Sequence, residues 1–220
     1  VAGPPNEVAA DAVAWQRDGF GAFKLKLGAG HDDVATVAAV REAVGSAARI
    51  RVDANASWSP REAIATLRAL EPFDVELCEQ PVAGLRAMAR VARDSPVPLA
   101  ADEDVASEAD ANRARQRRAC ELATAKLAKV GGIGAAATIS RVLPTYLSSA
   151  LDGPVGIAAA AHGAQVCAPV DLAHGLATQR LFATTIATRG PGLEGDRLTV
   201  PDAPGLGVEL DEQALAAHAL

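Results

Sequence analysis

Residues 20–55 read FGAFKLKLGAGHDDVATVAAVREAVGSAARIRVDAN, and this stretch decides the fold. An apolar strand-like run, Phe20–Leu27, leads into an amphipathic helical pattern over Asp32–Val44. Gly45 offers a helix stop, and a second apolar run follows at Ile50–Ala54. Strand, helix and strand in that order make a βα unit, which requires parallel strands.

The unit repeats along the chain. Further strand candidates are Val75–Cys78, Pro98–Ala101, Leu122–Leu127, Tyr146–Leu151 and a weaker Leu172–Leu176, while Val1-Ala2 reads as the tail of an earlier strand. Helical patterns cover Glu7–Arg17, Pro60–Leu70, Leu85–Arg93, Ser107–Arg118 and Ile133–Leu143. Ser59-Pro60 is a helix entry, with a serine cap and proline in the first turn, and Asp18-Gly19 suits a helix end. Eight units of about 25 residues need roughly 200, close to the size of a (β/α)₈ barrel. The expectation is therefore an α/β fold, a TIM-like barrel over residues 1–220 as one domain. A doubly wound open sheet is the competitor, and it would gather ligands at one switch point. The Gly- and Pro-rich tail Arg189–Glu209 is expected to wrap the barrel edge.

Five ionisable residues sit at the ends of five successive apolar segments: Lys26, Asp53, Glu79, Asp102 and Lys126, spaced 23 to 27 residues apart. A repeating βα unit delivers one such side chain per repeat to the same rim, which favours a closed ring over a single switch point. Strand alternation puts Lys24 and Lys26 on one face, opposite Phe23, Leu25 and Leu27. Two ammonium groups so close are expected to depress each other's pKa and leave one usable as a base. A carboxylate that directly follows an apolar strand is costly to bury unless paired or metal-bound. Three of them on neighbouring strands describe an oxygen site for Mg²⁺, with Mn²⁺ as the alternative. Singly, each acid could equally cap a helix or sit in a loop. Val130-Gly131-Gly132-Ile133-Gly134 is a tight turn into a helix, without a nucleotide-binding pattern.

Composition narrows the function. Half the residues are hydrophobic but only 3% aromatic, so Ala, Val and Leu supply the core. A net charge of −6 gives no basic field for nucleic acid or an anionic membrane. Arg113, Arg115, Arg117 and Arg118 read as a solvated helix face. Three scattered cysteines, Cys78, Cys120 and Cys167, argue against a disulfide framework and fit a reducing, cytoplasmic setting. No run approaches the ~18 apolar residues of a membrane span, and no signal peptide is visible. The partner expected is a small-molecule carboxylate substrate. Trp15, Trp58, His162 and His174 read as structural residues, with Trp58 near enough to Asp53 to border a site. The chain opens at Val1 rather than Met, which suggests a piece of a longer protein.

Lys-x-Lys, Asp-x-Asn, Glu-Gln-Pro, Asp-Glu and Lys-x-x-Lys-x-Gly-Gly, in this order and spacing, resemble the enolase superfamily in its muconate-lactonizing-enzyme-like branch. The resemblance spans nearly the whole chain, and Pro204–Val208 is similar to the superfamily's closing segment. It implies that Asp53, Glu79 and Asp102 bind Mg²⁺, that Lys26 is the base, and that Lys126 is a cation facing it. Lys24, Asn55 and Ser149 would touch the substrate. Two later stretches, Leu147–Asp152 and Asp171–Thr178, look like the o-succinylbenzoate synthases of actinobacterial type. That resemblance implies a Mg²⁺-dependent syn-dehydration of a succinyl-cyclohexadiene carboxylate in menaquinone biosynthesis. N-succinylamino-acid racemases and dipeptide epimerases would use the same residues, and a non-catalytic barrel fragment is the third reading. Family members also carry an N-terminal capping domain, expected to be absent from this chain along with a complete first strand. Without it, water would reach the site and turnover would be slow.

Overall fold

The structure is a computed structural model that describes residues 2–218. Val1, half of the first strand candidate, lies outside the described residues. By its contacts the chain divides into two compact units, Val1–Thr124 and Ala125–Leu220.

In the first unit, α1 (Pro5–Arg17) precedes five strands that alternate with four helices. These are β1 (Ala22–Lys26), α2 (Asp33–Val44), β2 (Arg49–Asp53), α3 (Pro60–Leu70), β3 (Val75–Glu79), α4 (Leu85–Asp94), β4 (Leu99–Ala101), α5 (Glu108–Arg117) and β5 (Leu122–Ala125). Neighbours in sequence are neighbours in the sheet, and each pair from β1·β2 to β4·β5 is parallel. Local chemistry sets the ends. Ser59 and Glu62 form a reciprocal capping box at the start of α3, with Pro60 in its first turn. Asp32 caps α2, which Gly45 ends at φ 79°. Leu25, Ile50, Val52, Leu77 and Leu99 are fully buried, as are Val37, Leu67, Met88 and Val91 on the helices. β1 alternates as expected, with Phe23 and Leu25 buried and Lys24 and Lys26 not.

The second unit holds α6 (Leu127–Val130), α7 (Ile133–Ser140), β6 (Thr145–Leu147) and α8 (Pro154–Val166). Within this unit the Ser148 N–H, just past β6, donates to the Ala125 carbonyl at 2.9 Å. The weak strand expected at 172–176 shrinks to one parallel bridge, Ser148↔Gly175. Its run, Leu172-Ala173-His174-Gly175-Leu176, is short and carries a glycine, which weakens a strand interior. Among the described residues, the first unit therefore holds five parallel strands, and the second holds β6 and this bridge, rather than eight full repeats. The Gly- and Pro-rich tail folds partly on itself. β7 (Ala187–Arg189) pairs antiparallel with β10 (Glu209–Leu210), and β8 (Gly192–Glu194) with β9 (Arg197–Thr199). A short α9 (Glu212–Ala217), capped by Asp211, follows. Among the described residues no helix is long and apolar enough to cross a membrane.

Candidate active site

Each of the five spaced residues falls at the carboxyl end of its own strand. Lys26, Asp53 and Glu79 are the last residues of β1, β2 and β3, while Asp102 and Lys126 directly follow β4 and β5. In the first unit the sheet register makes Lys26, Asp53 and Glu79 direct neighbours. Glu79 pairs with Ala100, so Asp102, two residues on, shares its face one step further along. Asp53 and Glu79 are wholly buried and Asp102 is 1% exposed.

Two lysines compensate this charge. Lys24 Nζ donates to Asp53 Oδ2 and to Glu79 Oε1, both at 2.9 Å. Lys26 Nζ donates to Asp53 Oδ2 and to Asn55 Oδ1, both at 2.6 Å. Asn55 is held in turn. Its backbone N–H donates to Asp53 Oδ1 at 2.9 Å and its side-chain amide to Glu103 Oε1 at 3.1 Å. Burial would raise the Asp53 pKa, but the charge of Lys24 and hydrogen bonds from both lysines lower it to about 2. The expected mutual depression of the lysines is overturned for Lys24. Burial does disfavour its charge, yet Glu79 and Asp53 outweigh burial and raise its pKa. Two carboxylates within 2.9 Å of its ammonium set the direction.

The donor set fits a divalent cation by its chemistry: three buried carboxylates ending adjacent strands, with oxygen the only ligand type. Among the described residues, no three acids, thiols or imidazoles converge into a ready-made cage. The ammonium of Lys24, bridging Asp53 and Glu79, supplies the positive charge at that point.

The other expected residues lie in the second unit and in the loop after β2. In the second unit, the Ser149 hydroxyl accepts from Asp152 N–H at 2.8 Å and from the Thr178 hydroxyl at 2.7 Å. These two bonds brace the second unit and leave the hydroxyl's own proton to donate. His174 Nδ1 accepts from Leu147 N–H at 3.0 Å, and Gly175 N–H donates back to Leu147 O at 2.8 Å. The two late stretches are thus one hydrogen-bonded joint. Lys126 is the half-buried residue before α6. Trp58 Nε1 donates to Asp33 Oδ2 at 3.1 Å, fixing the loop after β1. Sequence reading missed Glu103 and Asp33. Glu103 lay in the quoted Asp-Glu pair, but its partner is 48 residues away.

The family model described as enolase C-terminal domain-like matches residues 7–214. The chain belongs to that family. This assigns it to the (β/α)₈-barrel class, as the sequence predicted. It is 36% identical over 170 residues to a D-Ala-D/L-Ala epimerase of Cytophaga hutchinsonii, covering 74% of this chain and 46% of the epimerase. It is 38% identical over 153 residues to an o-succinylbenzoate synthase of Thermobifida fusca, covering 69% of this chain and 48% of the synthase. The chain thus spans about half the length of these relatives. A solved dipeptide epimerase from Cytophaga hutchinsonii, complexed with Mg and the dipeptide D-Ala-L-Val, matches with a TM-score of 0.90 at 32% identity. That match covers 97% of this chain and 60% of the epimerase. The relatives are enzymes, and among them epimerases are as similar as the synthase.

Proposed function

We propose that the protein containing this chain removes the proton next to a substrate carboxylate, with Lys26 Nζ as the base. The observation that carries this is the Lys26–Asp53–Glu79 row, in which Lys26 directly adjoins buried Asp53 and Asp53 adjoins buried Glu79. Asp53, Glu79 and Asp102 would hold Mg²⁺ or Mn²⁺, which when bound supplies positive charge to a substrate carboxylate. Lys24 balances the charge of Asp53 and Glu79. Asn55, held by Glu103, fixes the Lys26 ammonium through its Oδ1.

Two outcomes share this first step. In dehydration, Lys26 takes the C–H proton, the C–H electron pair forms the new double bond, and the neighbouring C–O bond breaks. The departing hydroxide takes a proton from Lys26 and leaves as water. In epimerisation, a proton returns to the same carbon from a second donor, the role assigned to Lys126. Support for o-succinylbenzoate synthase comes from the 38% identity to the Thermobifida fusca enzyme and from the two late stretches. Support for dipeptide epimerisation comes from identity spread over more of the chain. The synthase-like stretches also have a mechanical reason to be alike, since they bind each other.

The deciding experiment is NMR in D₂O with Mg²⁺, offering a succinyl-cyclohexadiene carboxylate and a panel of dipeptides. Expected is deuterium entry or product formation that falls by at least ~10²-fold in Lys26→Ala. Aromatic product marks the synthase. Deuterium with inversion that needs both Lys26 and Lys126 marks the epimerase. No exchange with any substrate would sink the catalytic reading and leave a scaffold.

A further inference from the structure

We propose that Gln80 is a positioning residue: its side-chain amide sets the spacing of Glu79 and Asp102, and through it the affinity of the acidic site for a divalent cation. The proposal rests on the cation reading above.

Gln80 directly follows Glu79 and is wholly buried, unusual for a polar side chain of this size. Its φ is 37°, a left-handed conformation that residues other than glycine avoid. Such strain persists only where surrounding bonds impose it, and here they do. The Gln80 backbone N–H donates to Ala100 O on β4 at 2.8 Å, and its carbonyl accepts from Ala56 N–H past β2 at 2.7 Å. The side-chain oxygen accepts from the N–H groups of Asp102 at 2.9 Å and Asp104 at 3.3 Å. The side-chain nitrogen donates to Asp104 Oδ2 at 2.7 Å and Val82 O at 2.8 Å, with Met88 Sδ at 3.4 Å. One residue thus ties together the exits of β2, β3 and β4, the strands that deliver Asp53, Glu79 and Asp102.

The partners demand an amide. Donors face one end and acceptors the other, so a flipped amide would set donor against donor. A glutamate would place its second oxygen against the Asp104 carboxylate and the Val82 carbonyl. An apolar side chain would leave buried groups unpaired. Bulk alone therefore cannot replace Gln80.

The test is Mn²⁺ titration of the full chain by EPR, for the unaltered protein, Glu79→Gln, Gln80→Met, Gln80→Glu and the double variant Gln80→Glu/Asp104→Asn. Amide hydrogen exchange is measured alongside. Both single changes at Gln80 should weaken Mn²⁺ about 10- to 100-fold, the usual effect of groups that orient metal ligands. The double change should regain much of that loss, because it restores a donor opposite the new carboxylate. Asp102 and Asp104 amides should exchange faster while Val52 and Leu77 amides stay protected. Unchanged Mn²⁺ affinity in both single variants, or no recovery in the double, overturns the proposal. If the unaltered protein shows no Mn²⁺ binding that Glu79→Gln removes, the cation reading fails. Amide exchange then decides on its own whether Gln80 holds the Asp102 loop: acceleration in Gln80→Met upholds that role, and no change overturns it.

Discussion

Asp53 accepts hydrogen bonds from two ammonium groups on one oxygen, and this fixes how the site responds to acid. Its pKa lies at about 2 in the folded chain against an ordinary 3.8. A carboxyl lowered in this way stabilises the fold above the ordinary value and loses that contribution as pH falls through the folded one. Denaturant unfolding of the metal-free protein should therefore lose about 2 kcal/mol of stability between roughly pH 4 and 2. Asp53→Asn should flatten that slope; an unchanged slope would show that the lysine contacts do not stabilise. The thiols give a second prediction at this scale. Burial raises Cys78 well above its ordinary pKa, aided by Asp53 and Glu79, and also raises Cys167. It pushes Cys120 up to about 12. None of the three should react with a thiol reagent at pH 8 in the folded chain, and all three should react in guanidinium. Rapid labelling without denaturant would contradict the buried placement.

At the scale of elements, the exit of β1 is the tightest turn beside the site. Gly28 has φ 76°, and a Cβ there would lie 1.9 Å from Ser57 Oγ. Gly28→Ala should cost about 1–3 kcal/mol in thermal unfolding, as overpacking does, and Ser57→Ala in the same chain should return part of it. Elements with local signals were readable in advance. Pro60–Leu70 keeps its expected bounds, its start signalled by Ser59-Pro60, and Glu62 completes the capping box there. α8 offers no amphipathic stripe to read, because its run of alanines is apolar nearly all round. The charged series was legible because strand ends recur at a near-constant interval. The Gln80 clamp was not, since Gln80 meets partners 22 and 24 residues away through a backbone turn that no local residue type announces. The Ser149 contacts were not legible either: Thr178, which donates to its hydroxyl, lies 29 residues away.

At the scale of the molecule, a cation that binds only the folded chain must stabilise it. At a Mg²⁺ concentration near 100 times its dissociation constant the gain is about 2.7 kcal/mol, or roughly 5–10 °C in Tm for a chain of this size. Differential scanning calorimetry should show that shift with Mg²⁺, and Glu79→Gln should abolish it. An equal shift in the variant would place the ion elsewhere. Relatives with different activities match this chain at similar identity, so identity alone does not choose among their substrates. One consequence of the charged rim concerns synthesis. Its charged groups are contributed one or two per repeat, and Lys24 meets Asp53 and Glu79 across 29 and 55 residues of chain. A nascent chain that has released only β1 and β2 holds a single one of the three acids. The cluster cannot form until β3 and β4 have emerged and paired, so the growing polypeptide carries no acidic trap for metals until most of the first unit has been made.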